Sequence, residues 1–395
     1  MSGRRQRWSE LRARAVELAR TFEQRGIASY EEGAFVAANL ADLRQAGITA
    51  MNVPEELGGC AATLAENVEI VRLLSKGCGS TGFTFSIHAI LTGGLRNFAE
   101  EPLRTRIFTA VADGAFVCGP FTDTGSGGNF LFPSTVARRT EEGGYVLEGV
   151  KRFFTGYEAC THMVITAALT DEHLQPPFNM VAFFTPKPDG LDEAIVARWS
   201  GFALPMTGSH SVAIRGLPVS AEELIAPEGL TPMFAMAQQQ WGHYCFAAVF
   251  LALAERAYEV AIETTRGRSN TAVRSPLSLM PGVQFALGEM RARLGTMRAL
   301  LAEYVTHHAE PGDDLMGFLA RTCVPKYFIA NEAQHVVRLA FDVIGGTGTL
   351  AGQRIGQIYR DVRAGALVPF NNDLCREFIG KTALGLDPTQ APRWL

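Results

Sequence analysis

The stretch PMFAMAQQQWGHYCFAAVFLALAERAYEVAIETTRGR, residues 232–268, decides how the chain is read. Apolar residues recur through it at helical spacing, which predicts one helix of more than thirty residues. Its most apolar part begins at Cys245 and meets Glu255 and Arg256 after ten residues. That is too short to span a bilayer and suits a helix buried in a protein core.

Working outward, the texture differs on the two sides. Toward the C-terminus, VQFALGEMRARLGTMRALLAEYVTHHA, DLMGFLARTCVPKYFIANEAQHVVRLAFDVI and NDLCREFIGKTAL continue the helical pattern with short connections, so residues 229–395 read as a four-helix bundle. Toward the N-terminus, FVCGPF, GGYVLEGVKRFFTG, HMVITAAL, FNMVAFFTP, LDEAIVARWSGF and HSVAIRGLPV are short, rich in valine, isoleucine and phenylalanine, and punctuated by glycine and proline. Residues 116–228 therefore read as a β domain, with a hairpin at EEGGYVLEGV. Before them, residues 1–115 return to helical spacing in WSELRARAVELARTFEQ, AENVEIVRLLSKG and EPLRTRIFTAVADG, the last two ending at glycines that can cap a helix. The fold class is thus multi-domain α+β: a helical domain, a β-barrel or sandwich, and a helical bundle.

Composition narrows the function classes. The 395 residues are 47% hydrophobic and 19% charged, with a net charge of −4, so the chain is globular and has no basic groove for nucleic acid. The basic N-terminus has no continuous apolar core and reads as an amphipathic helix, not a signal peptide. Seven cysteines are scattered without a zinc-like spacing, so they read as reduced thiols, each a small buried hydrophobe, and no metal is expected. The resulting location is cytoplasmic, without a membrane partner.

The order of these three parts, with several patches inside them, resembles the acyl-CoA dehydrogenase superfamily from about residue 10 to 385. NVPEELGG (52–59) and FTFSIHAIL (83–91) resemble its N-terminal domain. FTDTGSGGN (121–129) stands where the family has a flavin-contacting strand and loop, and KRFFTG (151–156) resembles its second flavin strand, with Phe153 in place of the common tryptophan. LPMTGSHSVAIRGLPV resembles the end of the β domain, and GGTGT (345–349) with IYRDVR (358–363) the C-terminal turn and helix.

The resemblance implies FAD, held by Phe121, Thr122, Gly127, Gly128, Phe153, Thr155, Arg268, Gly345 and Gly346. Small hydroxyls such as Thr122 and Thr155 suit a planar amphipathic ring, and Gly125, Gly127 and Gly128 let backbone approach a ligand closely. It also implies a homodimer or homotetramer, because Gly345 and Gly346 would face the adenosine end of FAD, a contact that often crosses to a neighbouring subunit. Trp241, Gly242, Pro369 and Phe370 fall at substrate positions.

The departures matter as much. The classical reaction takes the α proton of an acyl thioester with a carboxylate, because that C–H is a very weak acid. The family's usual glutamate, nine residues after the arginine of the Arg-Asp pair, is Pro369 here, and its alternative position on the long helix is Gly242. What remains nearby is His243, expected to titrate near neutrality, and the triplet Asn371, Asn372 and Asp373, in which Asp373 is either a base or the cap of the last helix. His243, Asp373 and Asn371 are the catalytic candidates. The FAD-tail motif is reduced to Arg268, and Asp342 would repel pyrophosphate unless Arg268 or another arginine offsets it.

Three functions stay open. One is an atypical dehydrogenase or oxidase of an acyl thioester, on coenzyme A or a carrier protein, in specialised metabolism. The second is a flavin-dependent monooxygenase or oxygenase using reduced flavin from a reductase together with O2, which needs no α-proton base. The third is a silent scaffold subunit. Gln238, Gln239, Trp241, Cys245 and Phe246 hint at a polar or aromatic substrate over a plain fatty chain.

Overall fold

A computed structural model describes residues 2–125, 128–170, 173–188, 194–272, 274–307 and 314–387. The chain divides into two compact units, Met1–Gly242 and His243–Leu395.

The first unit opens with helices α1 (Ser2–Ser29), α2 (Ala37–Gln45), α3 (Leu64–Gly77), α4 (Gly79–Phe98) and α5 (Leu103–Ala112). A capping box starts α3: the Thr63 hydroxyl accepts from Glu66 N–H at 3.2 Å, and Thr63 N–H donates to the Glu66 carboxylate at 2.7 Å. The two glycines expected as caps behave differently. Gly114 follows α5 with φ +97°, the left-handed conformation of a helix stop. Gly77 instead lies within α3, where a Cβ would sit 2.0 Å from the Ala19 carbonyl oxygen, so it permits close approach of α1. Helix α4 is almost wholly buried, and Leu91 and Leu95 enter a core with Ile107, Phe108, Val164 and Phe184.

Strands follow: β1 (Val117–Cys118), β2 (Thr122–Asp123), β3 (Val136–Arg139), β4 (Tyr145–Phe154), β5 (His162–Leu169), β6 (Met180–Pro186), β7 (Ile195–Ala197) and β8 (His210–Val219). They form one sheet in the order β1-β5-β3-β4-β8-β7, with β2 pairing β4 and β6 pairing β5. The expected hairpin is β3–β4, turning at Thr140–Gly144. Of LDEAIVARWSGF only Ile195–Ala197 is strand, and residues 191–193 lie outside the described residues. His88 ties α4 to β1: Val117 N–H donates to Nδ1 at 2.9 Å, and Nε2–H donates to the Thr49 carbonyl at 2.8 Å.

The long helix is α6, Thr231–Arg266, of 36 residues, and it carries the chain from the first unit into the second. In the second unit α6 is followed by a two-strand ribbon, β9 (Ser269–Asn270) and β10 (Ser275–Pro276), then α7 (Pro281–Thr306), α8 (Leu315–Ile344), α9 (Arg354–Asp361) and α10 (Asn372–Ala383). The buried Glu255 of α6 accepts from Arg298 Nε of α7 at 2.6 Å. The fold is the one expected: helical domain, β domain and helical bundle. None of the described helices is long and apolar enough to cross a membrane.

Candidate active site

In the first unit the expected flavin residues gather where β4 ends. The β4–β8 register breaks between Lys151 and Phe154, so Arg152 and Phe153 form a bulge. Phe153 takes φ +54°, uncommon for a bulky residue; the residue is left 55% exposed, and its ring stands edge-on to Trp199 at 6.0 Å. A conformation this sparsely populated clusters at ligand sites. Thr122, half-buried on β2, pairs across to Arg152, and its hydroxyl makes no hydrogen bond among the described residues. Phe121 is half-buried and packs on the core beside Phe130. Gly128 has φ +87°, whereas Gly127 lies outside the described residues.

Thr155 is buried and belongs to a chain of hydroxyls. Its Oγ1 is 2.9 Å from Ser209 Oγ, which is 2.8 Å from Thr207 Oγ1, and Thr207 can donate onward to the Leu204 carbonyl at 3.0 Å. Each hydroxyl has one proton and can also accept, so Thr155 can meet a ligand as donor or as acceptor. Behind Thr122 lies a fully buried ion pair, Lys151 Nζ to Asp123 Oδ2 at 3.0 Å. Asp123 also accepts from Thr135 Oγ1 at 2.7 Å and from Ser134 N–H at 3.1 Å, and Lys151 donates to Thr166 Oγ1 at 3.2 Å. Burial lowers the Lys151 ammonium to about 8, with Asp123 opposing. These bonds fix β2 and the start of its loop against the sheet.

In the second unit, Arg268 donates to the Ile344 carbonyl at 3.2 Å, immediately before Gly345. Gly345 has φ +72°, and a Cβ built at Gly345 or Gly346 would meet nothing within 4 Å. Arg268 thus braces an open glycine turn. The arginine that offsets Asp342 is Arg338, at 3.2 Å, one helical turn earlier.

The catalytic candidates sit differently from the sequence expectation. His243 is buried, with Nδ1 3.0 Å from Thr322 Oγ1. The Thr322 proton is taken by the Leu319 carbonyl at 2.8 Å, so Nδ1–H is the donor and Nε2 carries the lone pair, facing Phe370 N–H at 3.5 Å. Burial, with the Lys326 charge adding to it, lowers the imidazole to about 3, so the expected titration near neutrality is corrected. The cap of α10 is Asn371, whose Oδ1 accepts from Leu374 N–H at 2.9 Å, and not Asp373. Asp373 is exposed in the first turn and paired with Arg376 at 2.5 Å. Pro369 is half-buried, and Phe370 is buried edge-on to His243. Gly242 lies inside α6. Trp241 is buried against α4, at a place where a Cβ on Gly93 would be 2.2 Å from the indole.

Two models of one family match the chain. The model described as acyl-CoA dehydrogenase, N-terminal domain, matches residues 8–115, and that described as acyl-CoA dehydrogenase, C-terminal domain, matches residues 244–372. Together they span more than half of the sequence. The chain belongs to the acyl-CoA dehydrogenase superfamily. Its relatives there are flavin-dependent oxidoreductases, both dehydrogenases and monooxygenases.

Among the relatives, the amino sugar nitrososynthase DnmZ of Streptomyces peucetius is 25% identical over 87% of this chain and 85% of its own length. The human mitochondrial short-chain specific acyl-CoA dehydrogenase is also 25% identical, over 84% of this chain and 79% of its own. Among solved structures, FMN-bound TdsC from Paenibacillus sp. A11-2 superposes with a TM-score of 0.84 at 19% identity, over 95% of this chain and 97% of its own.

Placed in the acyl-CoA dehydrogenase superfamily, the chain shows what sequence reading overlooked. Ser209 and Thr207 lie in a quoted patch, but only the β8 register brings them to Thr155. The Lys151–Asp123 pair gave no signal, because 28 residues separate two ordinary charges. Cys323 and Cys375 come to His243 from α8 and α10, a convergence that sequence spacing does not reveal.

Proposed function

We propose that the protein is a flavin-dependent oxygenase, using reduced flavin and O2 on the acyl-CoA dehydrogenase scaffold. The carrying observation is that no candidate proton acceptor is in a form to take a weakly acidic α proton. His243 is held neutral with a pKa of about 3, which makes it a very weak base. Asp373 is solvated and ion-paired, and the Asn371 side chain is an amide committed to a helix cap. The chemistry that needs a base is therefore poorly served, and the chemistry that does not need one fits.

The residues present fit a flavin. The exposed Phe153 face, the Thr122 hydroxyl and the adaptable Thr155 hydroxyl suit a planar ring with polar edges, and Arg268 with the open Gly345–Gly346 turn suits the adenosine end of FAD. Bound flavin would supply two-electron redox chemistry and the activation of oxygen. The chain's own part is to hold: Lys151 and Asp123 fix β2, and the Thr155–Ser209–Thr207 chain offers a hydrogen bond of either sense. A substrate with a nucleophilic nitrogen or sulfur suits a site without a base, and DnmZ and the dibenzothiophene monooxygenase TdsC bear names of that kind. A separate flavin reductase and assembly as a homodimer or homotetramer belong to this reading.

The second reading, dehydrogenation of an acyl thioester on coenzyme A or a carrier protein, is favoured by the match to short-chain acyl-CoA dehydrogenases. It requires a base from the substrate itself. The deciding experiment measures binding of oxidised and reduced flavin, then oxygen uptake by the reduced complex without any thioester. The oxygenase reading expects tighter binding of reduced flavin and uptake under those conditions. Anaerobic bleaching of bound FAD by butyryl-CoA would sink it.

A further inference from the structure

His243 of α6, Cys323 of α8 and Cys375 of α10 offer one nitrogen and two sulfurs that all lie within 4.8 Å of one another, and all three residues are buried. They sit in the second unit, where Phe370 and Asn371 lead into α10. The histidine is set up as a ligand. Its Nδ1–H is committed to Thr322 Oγ1, and that hydroxyl to the Leu319 carbonyl, so Nε2 is the lone-pair nitrogen; it accepts from Phe370 N–H at a long 3.5 Å, a bond that a metal ion would replace. Fixing one ring nitrogen by a hydrogen bond is how proteins orient a metal-binding imidazole.

We propose that His243, Cys323 and Cys375 form a closed, three-coordinate site for a soft monovalent metal ion of the copper(I) class. The donors decide the class, because thiolate and imidazole select soft ions over magnesium or calcium. The spacing is compatible: with metal–sulfur bonds of about 2.3 Å and a metal–nitrogen bond of about 2.0 Å, ligand atoms stand roughly 3.5–4 Å apart, so closure needs shifts of about 1 Å or less.

Charge decides between monovalent and divalent ions. Lys326 is buried one turn along α8 from Cys323, and its charge acts on both cysteines. Its one hydrogen bond among the described residues goes to Asn372 Oδ1 at 3.4 Å, and none of its described partners is a carboxylate. Binding releases both thiol protons to solvent, leaving two negative charges. One monovalent ion and the Lys326 ammonium then bring the cluster to neutrality, whereas a divalent ion would leave a buried excess positive charge. Three donors also suit copper(I), since structural zinc sites are almost always four-coordinate. Bound there, the ion would join three helices and pin the turn that carries Phe370 and Asn371. This site draws on no flavin residue and shares only His243 with the oxygenase reading, so a failed copper titration leaves that reading's flavin and oxygen test untouched.

The test is anaerobic titration of the full-length protein with copper(I) against a chromogenic copper(I) chelator, with zinc(II) in a parallel arm. The expected result is one copper(I) retained per chain, with an X-ray absorption spectrum showing two sulfur and one nitrogen neighbours, and weaker zinc(II) binding. Cys323→Ser and Cys375→Ser should each lower affinity at least tenfold, and Lys326→Met should shift preference toward zinc(II). The spectrum of the unmodified protein reads the ligand set directly, so poor folding of a variant does not blunt the test. Failure to retain copper(I), oxidation of Cys323 and Cys375 to a disulfide in its place, preferential zinc(II) binding, or binding that survives loss of both cysteines overturns the proposal.

Discussion

The end of β4 and the turn into α10 are the two regions where sequence reading expected ligand chemistry, and they use their polar groups in opposite ways. At β4 the charges lie beneath the surface in a satisfied pair, and the groups above them, Thr122 and the hydroxyl chain ending at Thr155, keep capacity to bind. At the turn, each candidate is already engaged: Asn371 caps α10, Asp373 pairs with Arg376, and His243 is a buried neutral ring. A side chain can offer a ligand only the donor or acceptor capacity that its bonds within the fold leave over. On the proposed reading, the first arrangement serves binding and the second serves the fold.

The largest expected effect breaks the β4 side of this contrast. Asp123→Ala leaves the Lys151 ammonium buried without its carboxylate, which should cost about 3–5 kcal/mol of stability. Replacing both, with Lys151→Met and Asp123→Leu together, should cost clearly less, because no charge is then stranded. Urea denaturation of the three proteins checks this. Equal losses in the single and double variants would mean that the pair acts only through packing.

A second prediction isolates the neutral-histidine physics at His88, away from the turn. Burial lowers this imidazole from 6.5 to about 4. Above pH 6.5 both folded and unfolded chains leave it neutral, and its contribution is fully present. As pH falls from 6.5 toward 4, the unfolded chain takes a proton that the folded chain refuses, so stability should drop by about 1.4 kcal/mol per pH unit from this residue. His88→Gln should flatten that slope, read from denaturation midpoints at pH 7, 6 and 5. An unchanged slope in the variant would remove His88 as its source.

How much of this was legible follows from which interactions are local. Helix α6 and the strands β4, β5, β6 and β8 could be read because their patterns repeat every few residues within one segment. Thr122 and Thr155 were proposed from motif resemblance, and the fold brings both to the end of β4. The contacts of Ser209 with Thr155 and of Lys151 with Asp123 were not legible, because they depend on cross-strand register. The pKa of His243 was misjudged for a related reason: its environment is supplied by Thr322 and Lys326 on α8, some 80 residues away in sequence. Gly77 misled because a glycine at a helix end serves equally as a stop or as a place where another helix passes close.

The smallest effects sharpen the comparison most, because they separate cap, ion pair and base at adjacent residues. Asn371→Ala removes the side chain that accepts from Leu374 N–H and should cost about 1 kcal/mol. Asp373→Asn keeps the shape of the first turn and gives up an exposed pair with Arg376, which should change stability by no more than about 0.5 kcal/mol. A proton-abstracting carboxylate would behave quite differently, since its loss typically lowers turnover about 100-fold or more while leaving the fold intact. Thermal melts and turnover measured on the same Asp373→Asn preparation therefore discriminate. Unchanged turnover with an unchanged melt places Asp373 outside the chemistry, as its exposure and partner imply. A collapse of turnover without a change in melting would return a base to the turn, and with it the thioester dehydrogenase reading.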